Sequence, residues 1–439
     1  MARSRLFDTA RRMLDATQAL TVLAEIPPGP PRAVLQQRLA AIAADLDANP
    51  IFRPCELPDT HFMRLVILDD PRGELPALLA WESNHDGRAA DYLAAVARAA
   101  PAITAVFECC AGYPAEGTAD VERWVAWMLA HAHRAAAFYT GYRGVPRRAV
   151  VNARGVHDAI RDVLDRDRDA LRGLSRSDLQ IQIRERVAAR HPELDLSRNG
   201  PEGDDEPRWA LGKLAAAAVG LALLPLLLIV GPIWWLLLRR SEDLDIATAY
   251  ARPLFIDPAV RCAEDQVTQN EMTHLVDVKP GAFRLATLWL VLTAIDVAAR
   301  VWSVRGELGG ITAIHFARWV IVRDRRPVRP RRHRLLFFSN YDFSWQSYLG
   351  EFIDRAAFGL TAVWSNTQGF PATQNLVLAG ARDEEAFKQW TREHQLPTQV
   401  WWSGVPDSTV QNVRDDLEIR RQLARGLADH EVETWLRKL

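Results

Sequence analysis

The stretch HFARWVI at residues 315–321 decides how this chain is organised, because its pattern occurs twice. It matches HFMRLVI at residues 61–67, and further matches follow in the same order along both halves. The register slips by only a few residues, in places where loops tolerate insertions. So many matches in one order predict a duplicated unit. The further pairs are SNHD (83–86) with SNYD (339–342), DYL (91–93) with SYL (347–349), TAVF (104–107) with TAVW (361–364), and Gly112-Tyr113-Pro114 with Gly369-Phe370-Pro371.

Composition narrows the classes of function. A length of 439 residues predicts two or three domains with room for a core. The 54 basic and 55 acidic residues balance, so no net field favours nucleic acid as a partner. The four cysteines have no metal-binding spacing, and adjacent Cys109 and Cys110 indicate buried thiols in a reducing compartment. The 15 tryptophans concentrate after residue 230, which fits membrane-interface anchoring or a large flat ligand.

Apolar periodicity predicts similar elements in both copies. Residues 1–54 form a helical cap, with one helix over 5–24 and a second to about residue 47. From its second strand onward repeat 2 has the β-α-β-β-α-β order of a ferredoxin-like unit, with an extra hairpin strand in front, and repeat 1 has the same order with one strand missing. Repeat 1 (55–168) has strands 61–70, 77–84, 102–111 and 135–142 and helices 87–100, 120–133 and 156–166. Repeat 2 (311–439) has strands 315–323, 334–341, 360–366, 374–379 and 398–404 and helices 345–357, 383–395 and 408–427; the strand 374–379 has no counterpart in repeat 1.

A charged helix and linker (169–208) leads into a membrane-associated insert (209–310) between the copies. Residues 214–238 carry no charge over 25 positions, more than the roughly 20 needed to cross a bilayer. The Trp234-Trp235 pair suits a membrane interface. We therefore expect this stretch to be embedded in a membrane; a fully buried soluble helix is the alternative.

Residues 285–302 form a second apolar stretch, but Asp296 and Arg300 within it favour an amphipathic helix in the interface. If both repeats share one side of the membrane, the number of crossings is even. Either both stretches cross, or neither does and 214–238 is a re-entrant hairpin bent at Pro225 and Pro232. Basic residues between the stretches favour the second alternative, a monotopic protein at the cell membrane with its soluble domains in the cytoplasm.

The element order over residues 55–165 and 311–430 resembles the dimeric α/β-barrel superfamily, which includes dye-decolourising peroxidases and chlorite dismutase-like haem proteins. The resemblance implies an α+β fold in which two tandem ferredoxin-like repeats face each other as an intrachain α/β barrel. It also implies a ligand, often haem, against one sheet. The Gly-x-x-Asp-Gly motif of the peroxidases is absent; residues 84–87 (NHDG) only partly match it.

Candidate site residues lie in the second copy. His315, which matches His61, is the candidate haem ligand and metal site, and a hydrogen-bonded structural histidine is the alternative. Arg318 follows it on the opposite face of the strand. Asp342 sits in the turn before helix 345–357, where it or Ser344 is expected to cap that helix or, as the less favoured alternative, to take part in catalysis.

The polar segment 241–283 holds a third candidate, His274, inside the dense polar run 264–274. If this run is helical, Glu271 and His274 share one face, as in half of a di-iron carboxylate motif. A second E-x-x-H sequence with supporting glutamates is not apparent. The catalytic candidates are therefore His274, Arg318 and Asp342.

Two functions are compatible with these features. The first is a membrane-associated oxidoreductase, haem-dependent and peroxidase-like or acting on a lipophilic small molecule. The second is a non-catalytic, membrane-anchored scaffold that binds lipid or a partner. In both cases the lipid bilayer is a partner, and the basic loop 325–334 is expected to touch anionic headgroups.

Overall fold

The computed structural model describes residues 17–197, 206–245, 258–302, 310–327 and 331–439. Its first element, β1 (Thr17–Glu25), is a strand over the described part of the helix predicted at 5–24. The rest of that predicted helix lies outside the described residues. The prediction was wrong because both faces of β1 are largely buried, so its apolar residues do not alternate.

The N-terminal half continues as alternating helices and strands. Its second predicted helix is confirmed, over α1 (Pro30–Ala44), with Pro30 and Pro31 in the first turn, where prolines are tolerated. The strands that follow are β2 (Thr60–Leu68), β3 (Leu78–Asp86) and β4 (Ala137–Thr140). The remaining helices are α2 (Ala89–Ala99), α3 (Thr104–Phe107), α4 (Val121–Ala130), α5 (Arg147–Arg166), α6 (Arg168–Leu171) and α7 (Arg176–Arg190).

The C-terminal half repeats this order after two intervening helices, α8 (Glu206–Asp243) and α9 (Pro258–Asp265). Its strands are β5 (Gln269–Asp277), β6 (Ile314–Val322), β7 (Arg334–Asp342), β8 (Thr373–Gln374), β9 (Leu378–Ala379), β10 (Gln395–Leu396) and β11 (Val400–Ser403). Its helices are α10 (Ala282–Val301), α11 (Trp345–Trp364), α12 (Glu384–His394), α13 (Val410–Arg425) and α14 (Asp429–Leu436).

Three of the predicted strands are wrong. Residues 102–111 hold the short helix α3, and residues 360–366 hold the last turns of α11. Most of residues 374–379 form only a small hairpin of two-residue strands, β8 and β9. The two helical segments contain the TAVF and TAVW runs, which are short, apolar and partly β-branched, a pattern shared by buried strands and buried helices. The condition set for the run around His274, that it is helical, is not met, because that residue lies in strand β5.

Two antiparallel sheets are built from both halves of the chain. The first has the order β1-β3-β2-β11, and the second has the order β10-β5-β7-β6-β4. The first half therefore supplies the neighbours β1, β3 and β2 to the first sheet, and the second half supplies β10, β5, β7 and β6 to the second sheet. The last strand of each half pairs with the other half's sheet. In this exchange β4 pairs with β6, and β11 pairs with β2.

Two chain segments join the sheets along both sides. Residues 131–133 hydrogen-bond with β1, and the same segment then continues into β4 beside β6. On the other side β10 pairs with β5, and the chain continues into β11 beside β2. A matching glycine follows each closing strand. A Cβ on Gly141 would lie 2.3 Å from the Ile314 carbonyl oxygen, and one on Gly404 would lie 2.2 Å from that of Thr60.

The two sheets face each other across a mixed apolar and polar layer. Val66 and Ala80 of the first sheet belong to the same apolar cluster as Val320 and Phe338 of the second. The opposite face of each sheet is covered by helices and holds large aromatic side chains such as Trp81. The inner layer is therefore shared by both halves, while each outer core belongs mainly to one.

Helices α8 and α10 differ in how they sit on this body. The stretches Leu211–Asp243 and Ala282–Val301 are each long and apolar enough to cross a membrane. In the most apolar 18-residue stretch of α8 no residue is buried. In the corresponding stretch of α10, 33% of the residues are buried. Helix α8 runs unbroken through Pro225 and Pro232, so the chain does not reverse there as the re-entrant hairpin requires.

Candidate functional site

A fully buried guanidinium, that of Arg64 in β2, connects the two sheets. It donates from Nε to Glu82 at 2.7 Å and from Nη1 to Glu271 at 2.7 Å. From Nη2 it donates to the Ser339 carbonyl oxygen at 2.9 Å and to Asn340 Oδ1 at 2.6 Å. All three nitrogens of the Arg64 side chain, which belongs to the first sheet, thus donate hydrogen bonds. Two of them donate to acceptors in the second sheet.

Arg318 in β6 makes the corresponding contacts in the opposite direction. It donates to the Leu20 carbonyl oxygen at 2.7 Å and to Asn84 Oδ1. Its Nη2 also lies 2.9 Å from Glu82, so this one carboxylate is bonded to both guanidinium groups, Arg64 and Arg318. Burial lowers the pKa of Arg318 to about 10, which leaves it charged at neutral pH.

The centre is charge-balanced, with two arginines and two carboxylates. Burial raises the pKa of Glu271, while the nearby Arg64 charge opposes that shift. Paired, hydrogen-bonded charges of this kind hold neighbouring elements in register, and removing one partner leaves the other uncompensated. The arrangement is suited to joining the sheets, because each of these four groups is already held by an opposite charge.

Two histidine–aspartate pairs occupy matching places at one end of the sheets. His61 Nε2 donates to Asp86 at 3.0 Å, and His315 Nε2 donates to Asp342 at 2.8 Å. The second oxygen of Asp86 accepts the Arg147 backbone N–H at the start of α5. Each pair thus ties a strand end to a helix N-terminus, where a carboxylate is favoured.

Asp342 serves α13 in the same way. Its Oδ2 accepts the Val410 backbone N–H at 2.9 Å. The cap of α11 is instead Ser344, whose Oγ accepts the Ser347 N–H at 3.2 Å. Of the two capping residues expected for that helix, Ser344 is the one that caps it. Asp342 is buried and holds His315 and α13 together.

The residues around His315 do not fit a haem. Its Nε2 is taken by Asp342, and its Nδ1 lies 3.3 Å from the Tyr142 hydroxyl. The Phe62 ring packs 5.0 Å from the imidazole, and the histidine has no exposed surface. A haem iron at His315 needs a free ring nitrogen and an open face. Neither is present, so the geometry assigns His315 the structural role.

His274 lies away from these pairs, on the helix-covered face of the second sheet. It is buried, and neither ring nitrogen has a hydrogen-bond partner among the described residues. Burial holds its pKa well below the usual range, so it is neutral. The cavity beside it measures about 20 Å³, room for one water molecule. It is lined by Met272, Phe337, Tyr348, Leu349, Phe352, Leu360, Trp364, Phe387, Trp390 and Thr391.

The candidates are therefore not assembled into one centre. Arg318 points between the sheets, whereas His274 points to the helix side of the second sheet. In strand β5, Glu271 and His274 lie on opposite faces, since side chains alternate. Glu271 contacts Arg64, and the His274 ring packs 4.7 Å from Trp390. Glu271 and His274 therefore do not share the one face that half of a di-iron motif needs.

The sequence argument missed Arg64 and Glu82. Arg64 was recoverable, because it occupies the same place in HFMRLVI as Arg318 in HFARWVI. Glu82 had no comparable signal: it lies four positions before Asp86, and the residue four positions before Asp342 is Phe338. Among the described residues, no group of three or more histidine, cysteine or acidic side chains could hold a metal ion.

Two arginines of the basic loop are paired with acidic side chains. Arg326 lies 3.0 Å from Asp324, and Arg332 lies 2.8 Å from Asp70 and 3.0 Å from Asp277. Residues 328–330 lie outside the described residues. Contact of this loop with anionic headgroups stays a prediction, to which these two arginines contribute little.

Comparisons of the chain with models of protein families, with curated proteins and with solved structures find no match.

Proposed function

We propose that this chain is a non-catalytic, membrane-anchored scaffold. The observation that carries the proposal is the apolar surface of α8. In the most apolar part of this helix, no residue is buried against the rest of the protein. A helix that is hydrophobic on all sides is stable only where it is surrounded by apolar material. A lipid bilayer supplies that surrounding, and the remainder of the chain is then held at the membrane surface.

The scaffold itself is proposed to be two ferredoxin-like repeats closed into one α/β barrel. Support comes from the common order of elements in both halves and from the exchanged strands β4 and β11. The two segments that join the sheets on both sides support the closure. Such an exchange makes the halves inseparable, because each sheet takes a strand from the other half.

The filled interior favours a scaffold over an enzyme. The space between the sheets is occupied by Arg64, Arg318 and their carboxylate partners, and the adjoining apolar cluster is buried. Pockets that bind a small-molecule substrate or a cofactor have volumes of about 300 to 1,000 Å³. The cavity at His274 is far smaller, so it does not favour a lipophilic substrate.

The proposal is tested by making α8 polar without touching the folded body. The variant Leu221→Lys, Leu228→Lys, Ile229→Lys and Leu236→Lys changes four exposed side chains of this helix. Each lysine near the centre of an embedded helix costs about 3 kcal/mol, so the central pair at 228 and 229 alone costs about 6 kcal/mol. The outer two, at 221 and 236, add to that cost. We expect the wild type in the membrane fraction after a carbonate wash and the variant in the supernatant.

A matched control places lysines at exposed apolar positions of the body, Val151→Lys and Ile181→Lys, and is expected to stay in the membrane fraction. Circular dichroism of both proteins checks that the fold is kept. The proposal is wrong if the α8 variant stays on washed membranes. It is also wrong if protein made with haem supplied has a Soret band that His315→Ala removes.

A further inference from the structure

We infer that α8 lies within one leaflet of the bilayer, with both of its ends on the same side, and that the outer face of α10 rests on that leaflet. This inference rests on the proposed function and adds the orientation of the membrane surface. Four features carry it: the two attachments of α8 to the body, the length of the connecting chain, the inverted polarity of α10, and the charges that flank α8.

The C-terminal end of α8 is attached to the body by its carboxylates. Glu242 accepts the backbone N–H groups of Asn375 at 2.9 Å and Leu376 at 2.7 Å. Both of those residues have positive φ, which asparagine tolerates but which is unfavourable for Leu376, and these bonds help to offset that cost. Just beyond the helix, Asp245 lies 2.5 Å from Lys279 and 2.7 Å from Arg284.

The N-terminal end of α8 is attached through a short connection. Asp195 exchanges two hydrogen bonds with the Asn152 side chain, at 3.0 and 2.8 Å, which places it on α5. Arg420 of α13 donates to the Asp195 carbonyl oxygen at 3.0 Å. From Ser197 to Glu206 the chain makes nine Cα steps, which reach at most about 32 Å.

These attachments exclude a crossing of the bilayer. The 25 uncharged residues 214–238 measure about 37 Å as a helix, so a crossing would place the two ends on opposite sides of a hydrocarbon core about 30 Å thick. The connection 198–205 would then have to return through that core. It carries Arg198, Glu202, Asp204 and Asp205, and its backbone would have no hydrogen-bond partners there.

A position inside one leaflet satisfies the same constraints. Half of the hydrocarbon core is about 15 Å thick, and a helix with its side chains is about 10 to 12 Å across. A helix that is apolar on every side fits this space without a polar face. The exposed Lys213 and Arg240 flank the apolar stretch and can extend to anionic headgroups at the surface.

Helix α10 has the polarity expected at this surface. Its charged Asp296 points inward and accepts the Phe138 N–H at 3.1 Å. Its outward face instead carries Trp289, 50% exposed, and Leu290, 46% exposed. A helix on a water-facing surface has the reverse arrangement. The rings of Trp234 in α8 and Phe283 in α10 lie 4.8 Å apart, so the two apolar surfaces are continuous.

The test uses the full chain made by cell-free synthesis with sealed vesicles of phosphatidylcholine and phosphatidylglycerol. The exposed Cys55 and Cys262 are replaced by serine, and the buried cysteines are kept. Single cysteines are placed at the two ends of α8 (Lys213→Cys, Arg240→Cys) and on the exposed body (Arg88→Cys). Vesicles recovered by flotation are treated with a membrane-impermeant maleimide before and after detergent.

We expect all three cysteines to react fully before detergent. An end of α8 that reacts only after detergent would overturn the inference and leave the proposed function intact, because the protein would still float with the vesicles. Failure to float would overturn both. For α10, the emission of an environment-sensitive dye on Val297→Cys should shift to the blue when vesicles are added, while the emission of the same dye on Ile181→Cys should not. Equal emission spectra for the two would mean that the outer face of α10 does not rest on the leaflet.

Discussion

At the scale of single residues, comparing the two copies shows whether the fold requires His274. His274 and Val22 occupy matching places, since His274 pairs with Phe337 and Val22 pairs with the corresponding Trp81. One copy therefore places a valine where the other places a buried imidazole without a hydrogen-bond partner among the described residues. An unpartnered buried polar group costs about 1 to 3 kcal/mol. His274 is thus a feature of the second copy alone and is not required by the fold.

His274→Val is expected to stabilise the protein and to weaken its pH dependence. Because burial lowers the folded-state pKa of His274, the unfolded chain binds a proton there that the folded chain does not. The free energy of unfolding therefore falls as the pH falls below about 6.5, by up to about 1.4 kcal/mol per pH unit. Urea unfolding in mild detergent between about pH 6.5 and about pH 5 should show a shallower slope in the variant.

The reciprocal variant Val22→His is the matched control. It puts an imidazole into the buried core of the first copy, and we expect it to lower stability and to steepen the same slope. Equal slopes for His274→Val and the wild type would mean that residue 274 is protonated in the folded protein or is solvated.

At the scale of elements, the closing strands β4 and β11 depend on the glycines that follow them. The Gly141 N–H donates to the His315 carbonyl oxygen at 2.7 Å, and the Gly404 N–H donates to that of His61 at 2.7 Å. Each exchanged strand therefore ends against the histidine-bearing strand of the other half. Neither Gly141 nor Gly404 has room for a Cβ, because the nearest atom is a backbone carbonyl oxygen. Such an oxygen, unlike the end of a side chain, cannot rotate away.

Gly141→Ala is expected to destabilise the protein by about 1 to 3 kcal/mol, the usual result of forcing an atom into a packed site. The control is Gly350→Ala, at a helical position of α11 with no atom within 4 Å of the added Cβ. That change should raise stability by about 0.5 to 1 kcal/mol, because alanine is the better helix former. Thermal unfolding of the two variants side by side measures the difference; a Gly141→Ala protein as stable as wild type would show that β4 can shift.

At the scale of the whole molecule, the buried charges join sheets that come from both halves. Glu82 of the first sheet and Arg318 of the second lie 2.9 Å apart with almost no exposed surface. The apolar layer around them adds contact area but does not specify one register, because apolar packing is not directional. The guanidinium groups bond in a fixed geometry, and we expect that geometry to specify the register.

Arg318→Met is expected to lower the free energy of unfolding by about 3 to 5 kcal/mol, since Glu82 and several carbonyl oxygens lose a partner. Glu82→Gln should cost less, because Asn84 and Arg64 still contact that side chain. The double variant then measures the coupling between the two residues. Arg88→Met, on the exposed surface, is the control, with an expected change within about 0.5 kcal/mol. A coupling near zero would mean that the ion pair does not hold the sheets together.

The sequence by itself determined the duplicated pattern, the strands β2, β3, β6 and β7, and the apolar segment 214–238. These signals are local: a strand or an uncharged 25-residue run can be recognised within its own residues. Only the tertiary structure decided that the last strands are exchanged, that His315 is held by Asp342, and that Asp296 points inward. Those outcomes depend on which distant segments meet, and partners such as Glu82 and Arg318 are more than two hundred residues apart in the chain. The misplaced strand at 102–111 has the same cause, since burial by distant neighbours removes the polar face that separates a helix from a strand.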